Sequence, residues 1–364
     1  MKTTITLILL FLTIAIHAQV NNLTEKYTMD ALVEETSGLI FYNGKLITHN
    51  DSGGTAQLFE MDSISNTITR TVTISNASNI DWEDITQDDD YIYIGDFGNN
   101  NGNRTDLKVY RVAKTDYTTN TTVTADTIDF SYADQTDFTT NSDTNFDAEA
   151  MIVKDNTILI FTKNHGDLKT NIYTFPKTIG TQSAVKIGTY EVNGLITGAT
   201  LNATTEELLL TGYSDTLVPF IIQVADINNP TVVKTNILSQ GSQVEAIANL
   251  GNNRYFISRE HFVYGSYDYP QKLYAFNRNN TAGINTVSNN SINVFPNPSN
   301  GIFTIQMDTV NSGEYTVFNQ LGQVVEKNSF ATNRFQVSLA KKGLYFLEIK
   351  NNNITYKTTK LIIK

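Results

Sequence analysis

Residues 81–96 read DWEDITQDDDYIYIGD, and this stretch decides the fold. A short strand follows a polar start, three aspartates form a turn at 88–90, and a second strand ends in Asp96. Short β-branched and aromatic runs bounded by Asp, Asn and Gly are typical of β-hairpins. The same layout returns in four other segments of the chain, at 35–51, 147–163, 195–212 and 244–260.

The spacing of these five segments predicts a repeat architecture. Five residues hold equivalent positions in them: Leu39, Ile85, Met151, Thr200 and Ile247. The steps between these residues are 46, 66, 49 and 47, and two further strands follow each hairpin. Four strands in roughly 40–50 residues form the blade of a β-propeller. The long second step indicates either a large insertion, with a polar loop at 132–146, or a degenerate blade.

We therefore predict an all-β protein, in which a β-propeller of five or six four-stranded blades spans residues 19–287. The segment 27–33 would supply an outer strand that closes the ring. Two stacked sandwiches are the structural alternative for this body. An Asn- and Thr-rich stretch follows it. We expect a linker at 288–291 and a small C-terminal β-sandwich at 292–364, because such a composition marks a loop.

The first 18 residues have the pattern of an export signal. Lys2 is followed by an apolar run from Ile5 to Ile16 and then by Ala18. A basic start, about a dozen apolar residues and a small residue at the cut describe a secretory signal peptide. The run is shorter than the roughly 20 apolar residues that a membrane span needs. We expect cleavage after Ala18 and no transmembrane segment in the mature chain.

The C-terminal module begins with a sharp turn made by Pro296, Asn297, Pro298 and Gly301. Further on come Leu-Gly-Gln at 321–323, Gly-Leu-Tyr at 343–345 and a terminal Lys-Leu-Ile-Ile-Lys. In this order and at this end of the chain, these motifs closely resemble the type A C-terminal sorting domain of type IX secretion cargo in Bacteroidota. The resemblance implies that the outer-membrane secretion machinery is a partner and that the protein reaches the cell surface or the medium.

Charge is divided unevenly between the two parts. Residues 19–290 carry 17 basic and 33 acidic side chains, a net charge of −16, whereas residues 291–364 have a net charge of +4. Such an acidic body repels phosphate backbones, which argues against nucleic-acid binding. The chain has no cysteine, which excludes disulfides, thiolate metal sites and cysteine catalysis.

Carboxylates collect where the five predicted blades begin and where their second strands end. In a propeller these positions share one face, and crowded carboxylates there are costly unless they bind cations or shift their pKa values. Calcium fits best because it takes 6–8 oxygen ligands, including Asn carbonyls. The candidate metal ligands are Asp81, Glu83, Asp84, Asp96, Asn99, Asp147 and Glu149. The alternative is that these residues cap strand ends and turns.

Other polar residues on the same face are candidates for ligand binding. Three histidines follow second strands, where they could serve as metal ligands or general bases or be solvated turn residues. Arginines there could hold an anionic substrate. The candidates are His49, Asp51, Arg104, His165, Arg259, Glu260 and His261. No nucleophile elbow or phosphate-binding glycine loop accompanies them.

The body also resembles known propellers. The matching segments are Ser37-Gly38-Leu39 with His49-Asn50-Asp51, residues 81–85 with 95–99, and 146–150. They resemble the esterase-like phytases and related six-bladed propellers, and more closely other secreted propellers of Bacteroidota. The phytase resemblance implies calcium on the acidic face and phosphoester hydrolysis. The body lacks the dense Lys/Arg cluster that a multiply phosphorylated substrate would require.

The sequence thus leads to two functional hypotheses. In the first, the body is a binding or scaffold module, stabilised by calcium, that engages an extracellular ligand through its acidic face. In the second, the same face belongs to a metal-dependent extracellular hydrolase, either a phosphoesterase or a glycosidase. The two hypotheses share the location of the site and differ over turnover.

Overall fold

The structure is a computed structural model of the chain. It describes residues 20–227, 232–238, 242–278, 292–307, 311–320, 323–351 and 354–364. The expected signal peptide and the expected linker lie outside these residues. The chain divides into two compact units, Met1–Asn280 and Thr281–Lys364. No helix within the described ranges is long and apolar enough to cross a membrane.

The described part of the first unit is built from antiparallel meanders. Strand β1 (Val20–Thr28) and the short 3-10 helix η1 (Ala31–Val33) come first. Meander 1 comprises β2 (Thr36–Tyr42), β3 (Lys45–Asn50), β4 (Gln57–Met61) and β5 (Ile68–Ile74). Meander 2 comprises β6 (Trp82–Gln87), β7 (Tyr91–Asp96), β8 (Lys108–Ala113) and β10 (Asp126–Tyr132), and between its last two strands lie α1 (Lys114–Thr119) and β9 (Thr122–Val123).

Three more meanders follow. Meander 3 comprises β11 (Ala148–Lys154), β12 (Thr157–Thr162), β13 (Thr170–Pro176) and β14 (Gly180–Tyr190). Meander 4 comprises β15 (Leu195–Asn202), β16 (Glu207–Tyr213), β17 (Pro219–Val224) and β18 (Val232–Asn236). Meander 5 comprises β19 (Val244–Asn249), β20 (Arg254–Arg259) and β23 (Lys272–Arg278), with a hairpin of β21 (Phe262–Tyr264) and β22 (Tyr267–Tyr269) between the last two.

The first strands of the five meanders pack in a closed cycle: β2 against β6, β6 against β11, β11 against β15, β15 against β19, and β19 against β2. Separate clusters of buried apolar side chains fill the spaces between consecutive meanders. Strand β1 completes meander 5 by pairing with β23. The closing strand therefore lies at Val20–Thr28, earlier than the expected 27–33, where η1 forms instead.

The longest interval of the repeat, the 66 residues between Ile85 and Met151, contains segments that the other meanders lack. Strand β9 leaves this meander and pairs in parallel with β5 of meander 1. Strand β10 pairs in parallel with β14, which joins meanders 2 and 3 into one eight-stranded sheet. The residues that the structure describes at this step contain an insertion and no additional meander. The body is all-β and propeller-like.

Every meander carries a β-bulge at the same place, near the start of its first strand. The pairing register with the second strand shifts between Trp82 and Asp84, and again between Ala148 and Ala150. Meanders 1, 4 and 5 show the corresponding shift. The residues inside the shifts are Ser37, Gly38, Glu83, Glu149, Thr197 and Glu245. A bulge re-aims a side chain, so these shifts decide which residues face the functional site.

The second unit has two antiparallel sheets that share one core. Its strands are β24 (Ile292–Phe295), β25 (Ile302–Met307), β26 (Gly313–Asn319), β27 (Val324–Phe330), β28 (Arg334–Ser338), β29 (Gly343–Asn351) and β30 (Ile354–Ile363). One sheet has the order β24-β25-β28 and the other β27-β26-β29-β30. Two facing sheets over a common apolar layer form a small β-sandwich.

The turn at the start of this unit holds its last strand. The side-chain amide of Asn297 donates to the Lys360 carbonyl at 2.6 Å, and its carbonyl oxygen accepts from the Ile362 amide at 3.0 Å. Gly301 has a φ of 120°, and a Cβ there would lie 2.6 Å from the Leu339 carbonyl oxygen. The predicted motif therefore has a local structural role, which is to fix the C-terminal strand.

Candidate functional site

Carboxylates gather at the end of the cycle where the first strands begin. We call this end the acidic mouth and define it by Asp51, Asp81, Glu83, Asp147, Glu149, Glu245 and Glu260. Three of these, Glu83, Glu149 and Glu245, are the bulge residues of meanders 2, 3 and 5 and are buried. Burial raises the pKa of each of the three well above its usual range, and Glu149 raises those of Glu83 and Glu245 further.

A lysine lies among these carboxylates. Lys163 Nζ is 3.0 Å from Glu149 Oε1, and the lysine side chain is only 12% exposed. The Tyr213 ring centroid lies 5.8 Å from the same nitrogen. Burial acts to lower the pKa of Lys163, but Glu149, Tyr213 and Glu245 outweigh it and raise that pKa well above its usual range. Lys163 is therefore an ammonium ion that offsets part of the negative charge of the mouth.

Three carboxylates of the mouth form a tight cluster. One oxygen from each of Asp51, Asp81 and Glu83 lies within 4.8 Å of the others. Burial, reinforced by Asp81, raises the pKa of Asp51 to about 7. Burial, opposed by Arg104 and reinforced by Asp147, raises the pKa of Asp81 to about 6. We call Asp51, Asp81 and Glu83 the carboxylate trio, and their spacing would allow them to hold a cation.

The surroundings of the trio fit a bound cation. Asp51 Oδ1 and Asp96 Oδ2 are buried and accept no hydrogen bond in the structure. A Cβ at Gly98 would collide with Glu83 Oε1 and lie 2.5 Å from Asp81 Oδ2. Glycine therefore leaves open the space into which these oxygens point. Unpartnered buried oxygens are costly, and a hard cation would satisfy them.

The predicted metal ligands Asp96 and Asn99 are already engaged by protein groups. Asp96 Oδ1 lies 3.0 Å from an Arg104 guanidinium nitrogen and also accepts from the Asp81 amide. Asn99 donates from its side chain to the Phe146 carbonyl and accepts from the Arg104 amide. Arg104 also donates to the Gly98 carbonyl at 2.8 Å. These groups fix the turn at 96–104 on which Gly98 lies.

Asp147 and Asp84 are both buried, and they form hydrogen bonds with different partners. Asp147 accepts from the Asn99 amide and lies 3.3 Å from His165 Nε2. Asp84 accepts from the Ile85 and Met151 amides at 2.8 and 2.7 Å. Burial raises the pKa of Asp84 well above its usual range, although these backbone amides act against the shift. Asp84 ties meander 2 to meander 3 and is not part of the trio.

The predicted histidines have three different environments. His49 is fully buried, and its ring packs edge-on against Trp82 with centroids 5.6 Å apart. Burial lowers the pKa of His49 to about 4, so this imidazole is neutral. His165 lies beside Asp147, as described, and His261 Nε2 lies 2.7 Å from Asp268. The structure does not bring the three imidazoles together.

The remaining candidates divide between the mouth and the protein interior. Burial, reinforced by Asp51, raises the pKa of Glu260 to about 7, which places its carboxylate in the mouth. Arg259 is buried, donates to the Pro270 carbonyl and to Ser242 Oγ, and is thus committed to the fold. The guanidinium groups of Arg104 and Arg259 therefore both form hydrogen bonds to other groups of the protein.

A cavity of about 700 Å³ opens at the other end of the ring, where the first strands finish. Two of its lysines pair with carboxylates that also line it: Lys177 with Asp88 at 2.9 Å, and Lys154 with Glu206 at 3.2 Å. No candidate residue from the sequence lines this cavity.

Sequence reasoning missed Lys163 and the role of the bulges. Lys163 follows an apolar strand of meander 3, and nothing local distinguishes it from a surface lysine. The glutamates had a visible signal, since Glu83, Glu149 and Glu245 each stand two residues before an equivalent apolar position. In meander 4 the bulge at Thr197 makes Ala199 the counterpart of Ile85, one residue before the Thr200 chosen from the sequence.

Comparison with known proteins identifies the second unit. Residues 293–364 match the family described as the secretion system C-terminal sorting domain. The second unit is therefore a sorting domain, and the chain is cargo of the type IX secretion system, exported to the cell surface or beyond it. An endo-acting ulvan lyase of Formosa agariphila is 33% identical over 85 residues, which are 22% of this chain and 16% of that protein.

Two solved structures align with most of this chain at low sequence identity. PorZ, a surface component of the type IX secretion system of Porphyromonas gingivalis, is 13% identical and has a TM-score of 0.35. The alignment covers 92% of this chain and 46% of PorZ. An exo-β-1,3-galactanase of Clostridium thermocellum is 10% identical with a TM-score of 0.47, and the alignment covers 92% of this chain and 82% of that enzyme. The chain thus spans a sixth of the curated relative and under half of PorZ.

Proposed function

We propose that the body is a five-bladed propeller that serves, after export, as a calcium-dependent extracellular binding module. The observation that supports this function best is the carboxylate trio, whose oxygens lie within 4.8 Å of one another. Carboxylate oxygens are the ligands that calcium prefers. The closed cycle of five first strands supports a blade number of five, and so does β1, which completes the fifth meander.

Calcium explains the unusual electrostatics of the mouth. Without a cation, the trio and the bulge glutamates share Lys163 as their buried positive partner. The resulting cost is visible in the raised pKa values of Asp51 and Asp81. A divalent ion between Asp51, Asp81 and Glu83 would stabilise the ionised carboxylates and so lower those pKa values again. The ion would be structural and would shape the surface that meets the ligand.

Terbium luminescence tests this site directly. Terbium replaces calcium in oxygen sites, and the chain has a single tryptophan, Trp82, next to Glu83. Excitation of Trp82 should sensitise the emission of bound terbium, and added calcium should quench that emission by competition. Glu83→Gln should abolish the signal, while Asp155→Asn, in a turn at the other end of meander 3, should retain it. Equal emission from wild type and Glu83→Gln would refute the site.

A metal-dependent hydrolase is the second candidate, and one observation favours it. Asp51 and Glu260 have pKa values raised to about 7, so each can hold a proton near neutral pH. A protonated carboxyl beside ionised ones is what general acid catalysis requires. Calcium in the trio would polarise an oxygen of the substrate, while Glu260, which is not one of the trio, would donate the proton to the leaving group.

Turnover assays separate the two candidates. Full-length protein with saturating calcium would be incubated with nitrophenyl glycosides and nitrophenyl phosphate from pH 5 to 9. The hydrolase hypothesis predicts activity that falls as pH rises above about 7, because Glu260 loses its proton, and a loss of at least 100-fold in Glu260→Gln. Absence of turnover across the panel would leave the binding function.

A further inference from the structure

An aromatic hairpin stands beside the acidic mouth. Strands β21 and β22 interrupt meander 5 between β20 and β23 and pair through Val263 with Asp268. Glu260 belongs to the mouth, and the next residue, His261, begins the hairpin. The His261 amide donates to the Glu34 carbonyl at 2.7 Å, which attaches the base of the hairpin to the chain ahead of β2.

The hairpin exposes large apolar and aromatic side chains to solvent. Tyr267 is 66% exposed and Val263 is 60% exposed. The rings of Phe262 and Tyr269 stack with centroids 6.2 Å apart, and the Tyr267 and Tyr269 centroids are 6.3 Å apart. Three aromatic rings therefore line a short, two-stranded projection.

Charged groups hold this projection in place. His261 Nε2 lies 2.7 Å from Asp268 Oδ1, across the width of the hairpin. Arg259 donates two hydrogen bonds to the Pro270 carbonyl where the chain returns to β23. An isolated two-stranded hairpin is marginally stable in water, so these anchors matter. They present the aromatic rings at a fixed position next to the mouth.

Exposed carboxylates stand close to the rings, and one guanidinium of the protein, that of Arg259, lies 5.9 Å from the Tyr269 ring centroid. The side chains of Glu34 and Asp268 are 57% and 73% exposed, and Glu260 lies immediately behind the hairpin. The whole body carries a net charge of −16. The faces of aromatic rings are also negative, and they attract ammonium and guanidinium groups. Ring faces and carboxylates in one place are complementary to organic cations.

We propose that the hairpin Phe262–Tyr269 is a docking surface for a basic polypeptide segment, whose Lys and Arg side chains bind across the rings and the neighbouring carboxylates. This inference rests on the proposed binding function and names the partner class. Tyrosine-rich surfaces with a charged rim are typical of protein interfaces, in which a few aromatic residues supply most of the affinity. The surface is separate from the carboxylate trio, so calcium occupies its own site.

Fluorescence anisotropy with a labelled octapeptide of alternating Arg and Gly residues tests the proposal. Full-length protein is used with saturating calcium, at 50 and 300 mM salt. We expect Tyr267→Ser to weaken binding three- to tenfold at both salt concentrations, and Tyr267→Phe to bind like wild type. Ile187→Ser is the control, because Ile187 is a similarly exposed side chain on strand β14.

Three outcomes would overturn the proposal. One is no binding of the peptide. Another is equal binding by wild type and Tyr267→Ser, which would mean that bulk charge alone attracts the peptide. A third is Tyr267-dependent binding of a neutral oligosaccharide in place of the peptide, which would make the hairpin a glycan platform. Terbium emission reports separately on the calcium site, so either proposal can fail alone.

Discussion

At the scale of single residues, Lys163 is the group on which the acidic mouth depends. Its ammonium is within 3.0 Å of Glu149 and also lowers the pKa values of Asp51, Asp81 and Glu83. Removing one partner of a buried ion pair leaves the other charge uncompensated, which costs about 3–5 kcal/mol. The mouth should therefore tolerate loss of the lysine only when its carboxylates take up protons.

Lys163→Met should destabilise the protein by about 3 kcal/mol at pH 8 and by clearly less at pH 5, because burial raises the pKa of Glu149 and so favours its protonation as pH falls. Denaturant unfolding at the two pH values measures this. Lys154→Met is the matched control, because Lys154 pairs with Glu206, which is 73% exposed, and surface pairs contribute under about 1 kcal/mol. Equal destabilisation at both pH values would show that Lys163 matters through packing alone.

The raised pKa values of the mouth also predict how stability depends on pH. In the folded state Asp51 and Glu260 bind protons up to about pH 7 and Asp81 up to about pH 6, whereas unfolded carboxyls release them near pH 4. The folded state binds more protons in this window, so stability falls as pH rises from about 4 to 7.

We expect unfolding free energies in chelator to fall by about 2 kcal/mol or more between pH 4.5 and 7.5, after allowance for solvent screening. Saturating calcium should abolish this fall, because the ion favours the ionised carboxylates. Denaturant titrations in the two buffers give the comparison. Stability that rises across this range in chelator would contradict the description of the mouth.

At the scale of elements, the β-bulges explain why the sequence indicated where the carboxylates gather but not how they are arranged. The acidic segments were visible as repeats, and the trio contains two predicted metal ligands, Asp81 and Glu83, with Asp51 from the predicted ligand-binding set. A bulge, however, changes which of two adjacent residues faces the mouth. Glu83 belongs to the trio, while the next residue, Asp84, accepts a hydrogen bond from the backbone of β11. The alternation of polar and apolar residues along a strand does not reveal which of the two acidic residues faces the mouth.

The histidines show a second limit of sequence reasoning. His49 lies within strand β3, next to its last residue, and packs against Trp82 in the interior, whereas His165 lies beyond the end of β12, beside Asp147. What separates them is the residue at which each strand ends and the packing of a neighbouring meander. Both depend on contacts distant in the sequence.

In the sorting domain, the turn at Pro296–Gly301 and strand β30 form one element. Asn297 makes two hydrogen bonds to this strand, through Lys360 and Ile362. Asn297→Ala should lower the local opening free energy of β30 by about 1–2 kcal/mol, which corresponds to about 5–30-fold faster amide exchange at 360–364. Hydrogen–deuterium exchange measures this, with the exposed Asn300→Ala as control. Unchanged protection of β30 would show that the motif acts without holding the strand.

At the scale of the whole molecule, two units with opposite charge divide the tasks. The sorting domain, with a net charge of +4, carries the export address, while the body, with −16, contains the candidate site. The all-β class and the sorting domain could be predicted because short repeated strands and terminal motifs are local signals. The parallel pairing of β10 with β14 could not be predicted, because pairing between strands that are distant in the sequence gives no periodic sequence pattern.

The most direct test of the central claim, that the acidic mouth binds calcium, is the melting temperature of the full chain in calcium and in chelator. At a calcium concentration 100 times Kd, binding adds about 2.7 kcal/mol to the unfolding free energy. For a body of this size we predict an increase of about 5–10 °C, absent in Glu83→Gln. The same melting temperature in both buffers would contradict the account and would make the carboxylates of the mouth capping residues of the fold.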